Sequence, residues 1–469
     1  MSKGKYILIP FRKEPYRRRK KRTVKKRTNL RTMIPPILCL LMCIGCARAI
    51  EDQRPFVSNA IQERVAIGLR PTSGQEGFQK PKDISLNDGL SEDEAVAIAL
   101  WNNAQFQADL AQLGLAKADL QEAGMIANPA FSLLFPVGPK QMEWTLTLPV
   151  ELLWQRPHRL AFAELNADEV SQNMIQHGLL LVKDVLTAYA DLILAQDCTH
   201  ILQEETEIHK EILAITESRL RAGDISEMEA IAIRLASTRV EEDSLRYTNQ
   251  VKTEEIRLKT LLGMVSENME IHLSPDTLQF QKPFSEEELL RIAYAARPDM
   301  RAAEIAIEAA GKGLNWERSK VWNLTASLDA NEEGEEGFEM GPGFQMGLPL
   351  FYRNEGGRSR AKTKMDQAVK RYLARRDQIA RDVREAYHSY FSADEILTLL
   401  RNDIIPDASQ TSEKAEKTYL LGEISYLEFL DFKQQLLNAR LREAEAAASI
   451  RKAMAQLRYS VGFKPTVRE

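Results

Sequence analysis

The side chains able to do chemistry are few and poorly placed for it. The six histidines, His158, His177, His200, His209, His272 and His388, are scattered through the chain. None belongs to an HExxH pair or stands at Cys–His ligand spacing, and no nucleophile elbow accompanies them. No glycine-rich phosphate loop is present, so nothing in the chain is built to hydrolyse ATP. No catalytic residue, metal ligand or cofactor is expected. One pair of acids stands apart. Glu428 and Asp431, in the stretch Thr418–Asp431 (TYLLGEISYLEFLD), are three residues apart and share a face if the segment is helical. Taken alone they are two solvated helix acids.

The elements that must position this pair are duplicated. Ser218–Ala232 reads SRLRAGDISEMEAIA, and a shift of 199 residues lays Gly223 on Gly422, Ile225 on Ile424, Ser226 on Ser425 and Glu229 on Glu428. Ala232 stands where Asp431 would be, so only the second copy has both acids. The same shift lays Gly263 on Gly462. A repeat of this length means two copies of one large unit. Each Gly interrupts a long helical pattern and is followed at once by Asp/Glu-Ile-Ser, which predicts a helix–turn–helix tip.

The N-terminus predicts export. The first 32 residues hold 14 Lys/Arg and one acid, Glu14, and the apolar run Ile37–Ile44 follows before Gly45-Cys46-Ala47. A basic region, a short apolar core and small residues at the cut read as a secretory signal. A basic nucleic-acid-binding arm is the competing reading, and the apolar run argues against it. Removing residues 1–45 takes the formal charge from −4 to −17 and leaves only Cys46 and Cys198, too few for a disulfide framework. Cys198 lies in a helical pattern and is expected to be buried or idle.

Residues 46–89 are polar and contain Pro55, Pro71 and Pro81, so an extended N-terminal arm is expected there. Ser91-Glu92-Asp93-Glu94 and Ser285-Glu286-Glu287-Glu288 then open helices with capping boxes. The first of these helices is expected to run unbroken to about Ile126, where Asn128-Pro129 stops it. Period-two alternation places strands at Ala130–Phe135, Glu143–Val150, Leu324–Asp329 and Phe344–Leu350, with the acidic Gly-rich run Glu332–Gly337 between the last two. After each strand pair comes a sustained heptad-like seam, about 65 residues long in the first copy, or roughly 100 Å of helix. Two shorter helices laid end to end would match it. Four strands cannot close a membrane barrel, and an open sheet in lipid leaves its edges unpaired, so several chains must share one barrel. Trp144, Trp154, Trp322, Phe344, Phe351 and Tyr352 fall near strand ends, as an interfacial girdle requires.

With its two repeats, Arg297-Pro298-Asp299-Met300, Leu348-Pro349-Leu350-Phe351, Gly356-Gly357-Arg358 and the two Gly-Xaa-Ile-Ser tips, the chain resembles the TolC-like outer-membrane efflux family over residues 84–463. It departs from the family pattern at Ala104, which replaces a Pro, and at Leu153-Trp154-Gln155-Arg156, which lacks the usual glycines. The resemblance implies a mainly α fold with a small β part. Two repeats would form an α-helical barrel of long coiled-coil helices, topped by a transmembrane β-barrel shared between three chains with four strands each. The expected organisation is a signal peptide (1–45), arm (46–89), first repeat (90–263), linker (264–284), second repeat (285–462) and tail (463–469). The resemblance further implies that Glu428 and Asp431 form a periplasmic gate, six carboxylates in a trimer. Leu220, Gly223, Ile225, Ser226, Leu420, Gly422, Ile424 and Ser425 would dock a periplasmic adaptor (membrane fusion) protein.

The function so implied is a passive exit duct in the cell outer membrane, serving an inner-membrane pump through the adaptor, with no nucleic acid involved. The cation-efflux branch of the family is the nearest in flavour. A soluble periplasmic coiled-coil lipoprotein acting as a spacer is the alternative. Cys43-Ile44-Gly45-Cys46 resembles a lipoprotein box, with Cys43 where Leu is preferred; cleavage after Ala49 competes with it. Intact-mass analysis of the membrane-extracted protein should show loss of residues 1–45 and an acyl adduct on Cys46. A free N-terminus at Ile50 would assign the other cut.

Overall fold

The long seams decide the architecture. The computed structural model describes residues 52–71, 77–81, 84, 89–135, 142–265, 267, 271–274, 284–333, 337–421 and 423–463. In chain order the elements are α1 (Arg54–Val65), α2 (Glu92–Asn102), α3 (Ala104–Gly124), β1 (Ala130–Leu134), β2 (Glu143–Pro149), α4 (Leu152–Ala222), α5 (Glu227–Leu262), α6 (Glu286–Ala296), α7 (Pro298–Ser319), β3 (Asn323–Glu333), β4 (Gly337–Gly347), α8 (Glu355–Leu399), α9 (Ile405–Leu420) and α10 (Tyr426–Ser460). The first seam is one helix of 71 residues, α4, about 105 Å long at 1.5 Å per residue.

α4 ends at Gly223, whose φ of +81° is left-handed. The Gly223 N–H donates to the Leu220 carbonyl and the Asp224 N–H to the Arg219 carbonyl, which satisfies carbonyls that the helix end would otherwise orphan. Ser226 then caps α5, its hydroxyl accepting from the Glu229 N–H. Both expected capping boxes form, at Ser91–Glu94 and Ser285–Glu288. A third forms at Ser425–Glu428.

The helix expected to run from Ser91 to Ile126 is broken at Asn103. That residue closes α2 and caps α3: its side-chain oxygen accepts from the Phe106 N–H at 2.9 Å and its Nδ2 donates to the Leu261 carbonyl at 3.0 Å. Pro298 makes the same break between α6 and α7. The break therefore survives Ala104 because Asn supplies by hydrogen bonding what Pro supplies by steric exclusion. The arm also differs from expectation. α1 is a helix that begins with Pro55 in its first turn and buries Val57 and Ile61. These i, i+4 apolar residues pack on α4 at Gly178, where an added Cβ would collide with Ile61.

The second seam is not one helix. α8 and α9 are joined by a π-helical turn, Leu400–Ile404. Buried Leu181, Val185, Ala188, Leu192 and Ala195 of α4 are matched 198 residues on by buried Ile379, Val383, Ala386, Tyr390 and Ala393, whereas the tips match at 199. The π turn takes up the extra residue. It lies beside Pro406, whose ring would clash with the carbonyl four residues back in an ideal helix.

The four strands form one antiparallel sheet in the order β1-β2-β3-β4. Opposite pairs put Phe131, Leu133, Trp144, Leu146, Leu148, Leu324, Ala326, Leu328, Phe344 and Met346 on one face, and Thr145, Thr147, Thr325, Ser327 and Asp329 on the other. The β3–β4 ladder continues to the pair Glu333↔Gly337, into the acidic run expected to lie between the strands. Ladder hydrogen bonds do not require apolar side chains, so alternation under-reports a strand that leaves its apolar band. At the other end β4 stops at Gly347, because Pro349 has no N–H to donate.

Below the sheet, α3, α4, α7 and α8 lie side by side in the order of the strands. Further down, α4 packs against α5 and α10. Each short pair meets end to end beside a long helix. The C-terminus of α5 abuts Asn102 and Asn103, and the C-terminus of α10 abuts Arg297. Gly263 fixes the first junction. Its φ is +70° and an added Cβ would be driven into the Asn102 carbonyl. Gly263→Ala should lower stability by about 1–3 kcal/mol, read as a fall in the thermal midpoint in detergent. Gly114→Ala, in α3 with nothing near its Cβ, should instead be neutral or stabilising by about 0.5–1 kcal/mol.

Candidate functional site

Two regions answer to the expected site residues: the tips at one end and the sheet at the other. The two tips are held to each other by an aromatic cluster. Tyr419 and Phe429 stack with centroids 5.2 Å apart, Tyr426 meets both edge-on, and the Tyr419 hydroxyl takes a hydrogen bond from Arg219 at 2.6 Å. Ile233, Ala415, Tyr426 and Phe429 are buried there, with Ile212, Leu213 and Ile424 packed against them. Arg219 belongs to the first hairpin and Tyr419 to the second, so this contact joins the repeats.

Of the expected docking residues, Gly223, Ser226 and Ser425 are exposed, while Leu220, Ile225 and Ile424 are half-buried. Gly422 and the side chain of Leu420 lie outside the described residues. The apolar side chains that do face solvent at the tips are Met228 (81% exposed), Leu421 (74%), Ile231 and Leu427. Pattern reading missed them because they occupy the outward positions of the helices, where polar residues are the rule. Cys46, the expected lipid attachment, lies outside the described residues. Cys198 is buried, and burial pushes its thiol up to about 11, which keeps it from reacting as a thiolate.

Glu428 and Asp431 are both exposed. Their carboxylates are not equivalent. The Glu428 Oε2 accepts from the Ser425 N–H at 2.9 Å and from the Ser425 hydroxyl at 3.0 Å. Those bonds hold its pKa below the ordinary carboxylate range. Asp431 accepts one bond from Gln435 at 2.8 Å. Glu428 is thus first a helix cap, a role its S-x-x-E spacing encodes.

At the sheet, Trp144 is 43% exposed, Trp322 51%, Phe344 71% and Phe351 99%. Trp154 is half-buried, and its Nε1 donates to the Ser319 carbonyl at 3.4 Å, so it is a helix-packing residue more than a surface aromatic. Phe131, Phe135 and Tyr352 are exposed as well. Trp144 lies toward the hairpin end, opposite Ala330, and Trp322 lies just before β3 at the helical end. Eight residues of strand separate those levels, about 26 Å along the strand and about 20 Å along a normal tilted by 40°, near the height of an outer-membrane apolar band. No helix among the described residues is long and apolar enough to cross a membrane.

The chain matches the sequence profile of the family described as outer membrane efflux protein over residues 95–264 and 289–462. It is 24% identical over 364 residues to the cobalt-zinc-cadmium resistance protein CzcC of Cupriavidus metallidurans, covering 75% of this chain and 85% of that protein. The outer membrane protein VceC of Vibrio cholerae superposes with a TM-score of 0.68 at 16% identity, over 79% of this chain and 96% of that one. The CmeC outer membrane channel of Campylobacter jejuni superposes with a TM-score of 0.70 at 16% identity, over 85% and 92%. At such identities the two structures speak for the fold.

The cap at the second tip makes a pH prediction. Because the folded Glu428 pKa is depressed, its contribution is present above the ordinary carboxylate range and is lost as pH falls through the folded value. Amide exchange over residues 426–432, corrected for intrinsic rates, should speed up as pH falls into that window. Ser425→Ala should weaken this dependence and Glu428→Ala abolish it. Equal protection in all three proteins would remove the cap from the account.

Proposed function

The chain belongs to the outer membrane efflux protein family, and from that premise we propose that it is the outer-membrane exit duct of a tripartite efflux or secretion system. Three copies share one twelve-stranded barrel, and their helices form a tunnel through the periplasm. The observation that carries this reading is the sheet. It has one apolar face left uncovered by the rest of the chain and two edge strands, β1 and β4, each paired on one side only. In hydrocarbon such edges cannot stand unpaired, since each lost hydrogen bond costs several kcal/mol. Joining β4 of one chain to β1 of the next removes every edge. A soluble periplasmic spacer would leave the same apolar face in water with nothing to cover it.

An adaptor protein docks at the tips, where Met228, Leu421 and Leu427 supplement the residues of the two turns, and an inner-membrane pump supplies the energy. Glu428 and Asp431 form the narrow mouth, with Asp431 the freer carboxylate of the two. Six carboxylates around a pore attract cations. The name of the relative CzcC brings the cation-efflux branch forward.

Native mass spectrometry in detergent should give the mass of three chains, and the assembly should conduct in planar bilayers. Glu428→Ala with Asp431→Ala should keep the trimer, lose cation selectivity and lose block by multivalent cations added at the periplasmic side. A stable monomer retaining its strand content would overturn the shared barrel. Unchanged selectivity and block would move the mouth elsewhere.

A further inference from the structure

Just below the sheet, α4 and α8 form the walls of a groove floored by α7, with a volume of about 830 Å³. The α8 wall is strongly basic. Residues 358–376 contain eight Lys/Arg and one acid, Asp366. Arg360, Lys364, Arg371 and Arg375 recur at steps of four and seven, so they share one helical face, and that face lines the groove. Arg375 reaches Asp299 at 3.6 Å. Arg360, Lys364 and Arg371 have no carboxylate within 4.0 Å among the described residues.

Three acids also line the groove, and two are already engaged. Asp299 receives two hydrogen bonds from Arg297. Burial pushes the Glu317 carboxyl up, but bonds from Lys320 and Asn354 and the nearby charges of Lys320 and Arg360 outweigh it and leave its pKa below the ordinary carboxylate range. The third, Glu169, faces Arg371. The positive wall is therefore in surplus, most of all at Lys364.

The repeat shows that packing does not demand these charges. At the spacing of 198 residues that matches the buried seam, Arg360, Lys364 and Arg371 correspond to Phe162, Asn166 and Asn173 of α4. Those three residues form the opposite wall of the same groove. Equivalent positions of equivalent helices are thus basic on one side and neutral on the other. The floor is apolar and low, with Ala306, Ala310 and Gly313 on α7. Phe162 and Trp316, whose rings lie 5.8 Å apart, also line it.

A groove with an apolar floor, an aromatic pair and a single cationic wall suits one class of ligand. We propose that it binds an amphipathic organic anion. The apolar body lies on Ala306 and Ala310 against Trp316, and the acidic headgroup meets Lys364 flanked by Arg360 and Arg371. All three walls come from one chain, so the site does not rest on the duct reading or on the trimer. The binding measurement below needs no transport.

The test is calorimetric titration of naphthalene sulfonate into the full-length protein in detergent, with a detergent blank. One molecule should bind per chain. Neither naphthyl trimethylammonium, which reverses the charge, nor inorganic sulfate, which lacks the apolar body, should bind at the same concentrations. Lys364→Gln with Arg371→Gln should weaken binding by about tenfold or more, equivalent to about 1.4 kcal/mol. Ala306→Phe, which fills the floor and leaves the charges alone, should weaken it as much. Arg358→Gln, Lys362→Gln and Lys370→Gln together remove as much charge or more from outside the groove and should leave affinity unchanged. Unaltered helical circular dichroism shows that each variant folds. Equal binding of the cation, equal binding by the Lys364/Arg371 variant, or no effect of Ala306→Phe would overturn the proposal.

Discussion

Two short helices must meet end to end beside each long one, and the junctions are buried. A helix end brings orphaned N–H groups and a helix C-terminus brings orphaned carbonyls, so each junction places both kinds face to face without water. The chain resolves this with one polar device per repeat. In the first, Asn103 accepts from the Phe106 N–H above and donates to the Leu261 carbonyl below. In the second, the task is split. Asp299 accepts from the Met300 N–H, while Arg297 donates to the Ser460 carbonyl and is held by Asp299 and Asp382. Removing one partner of such a buried pair costs about 3–5 kcal/mol, because the other charge is left stranded. α1 braces the same level: its Arg64 donates to the Ala296 carbonyl, the end of α6, while α1 itself packs on α4. The alignment of everything above with everything below passes through this waist.

Much of this was legible in the sequence, and the reasons are specific. The tips, capping boxes and strand positions are local signals, each set by residues within a few positions of one another. The long seams were legible because the same apolar period is sustained for many turns. The Asn103 break was not, because an Asn within a helical pattern reads as a mild helix disfavour, and its decisive partner, Leu261, lies 158 residues away. The π turn was hidden for a related reason. A one-residue insertion does not erase a seam; it only shifts it, from a spacing of 198 above to 199 below. α1 carried a plain signal, Pro55 followed by Val57 and Ile61, but it is short and surrounded by turn residues.

The candidate site was legible in position more than in role. Glu428 was recognisable as an acid next to a tip, and its S-x-x-E spacing equally marks a cap; the structure gives it the cap. A carboxylate cannot both turn inward to Ser425 and point freely into a pore at the same moment. Glu428 keeps its charge in that cap, and of the two acids Asp431 is the freer to turn toward a pore. Trp144 and Phe344 lie on strands, where period two fixes the face, and both are exposed. Trp154 belongs to the first turn of α4, where the strand rule no longer holds, and it is half-buried.

The two repeats divide the labour unequally. One seam of buried positions agrees between them once the π turn is allowed for, as the buried Leu181, Val185, Ala188, Leu192 and Ala195 and their counterparts Ile379, Val383, Ala386, Tyr390 and Ala393 show. Their charged positions do not agree. Asp431 corresponds to Ala232, and Arg360, Lys364 and Arg371 correspond to Phe162, Asn166 and Asn173. Burial restricts the first set to apolar residues of similar volume, whereas exposed wall and tip positions tolerate any residue that water can solvate. Charge at those positions is free of the packing constraint: each tip carries three acids, Asp224, Glu227 and Glu229 in the first repeat and Glu423, Glu428 and Asp431 in the second, whereas the basic wall below the sheet belongs to the second repeat alone. A chain with this asymmetry sets two electrostatic environments about a hundred ångströms apart on the same helical frame.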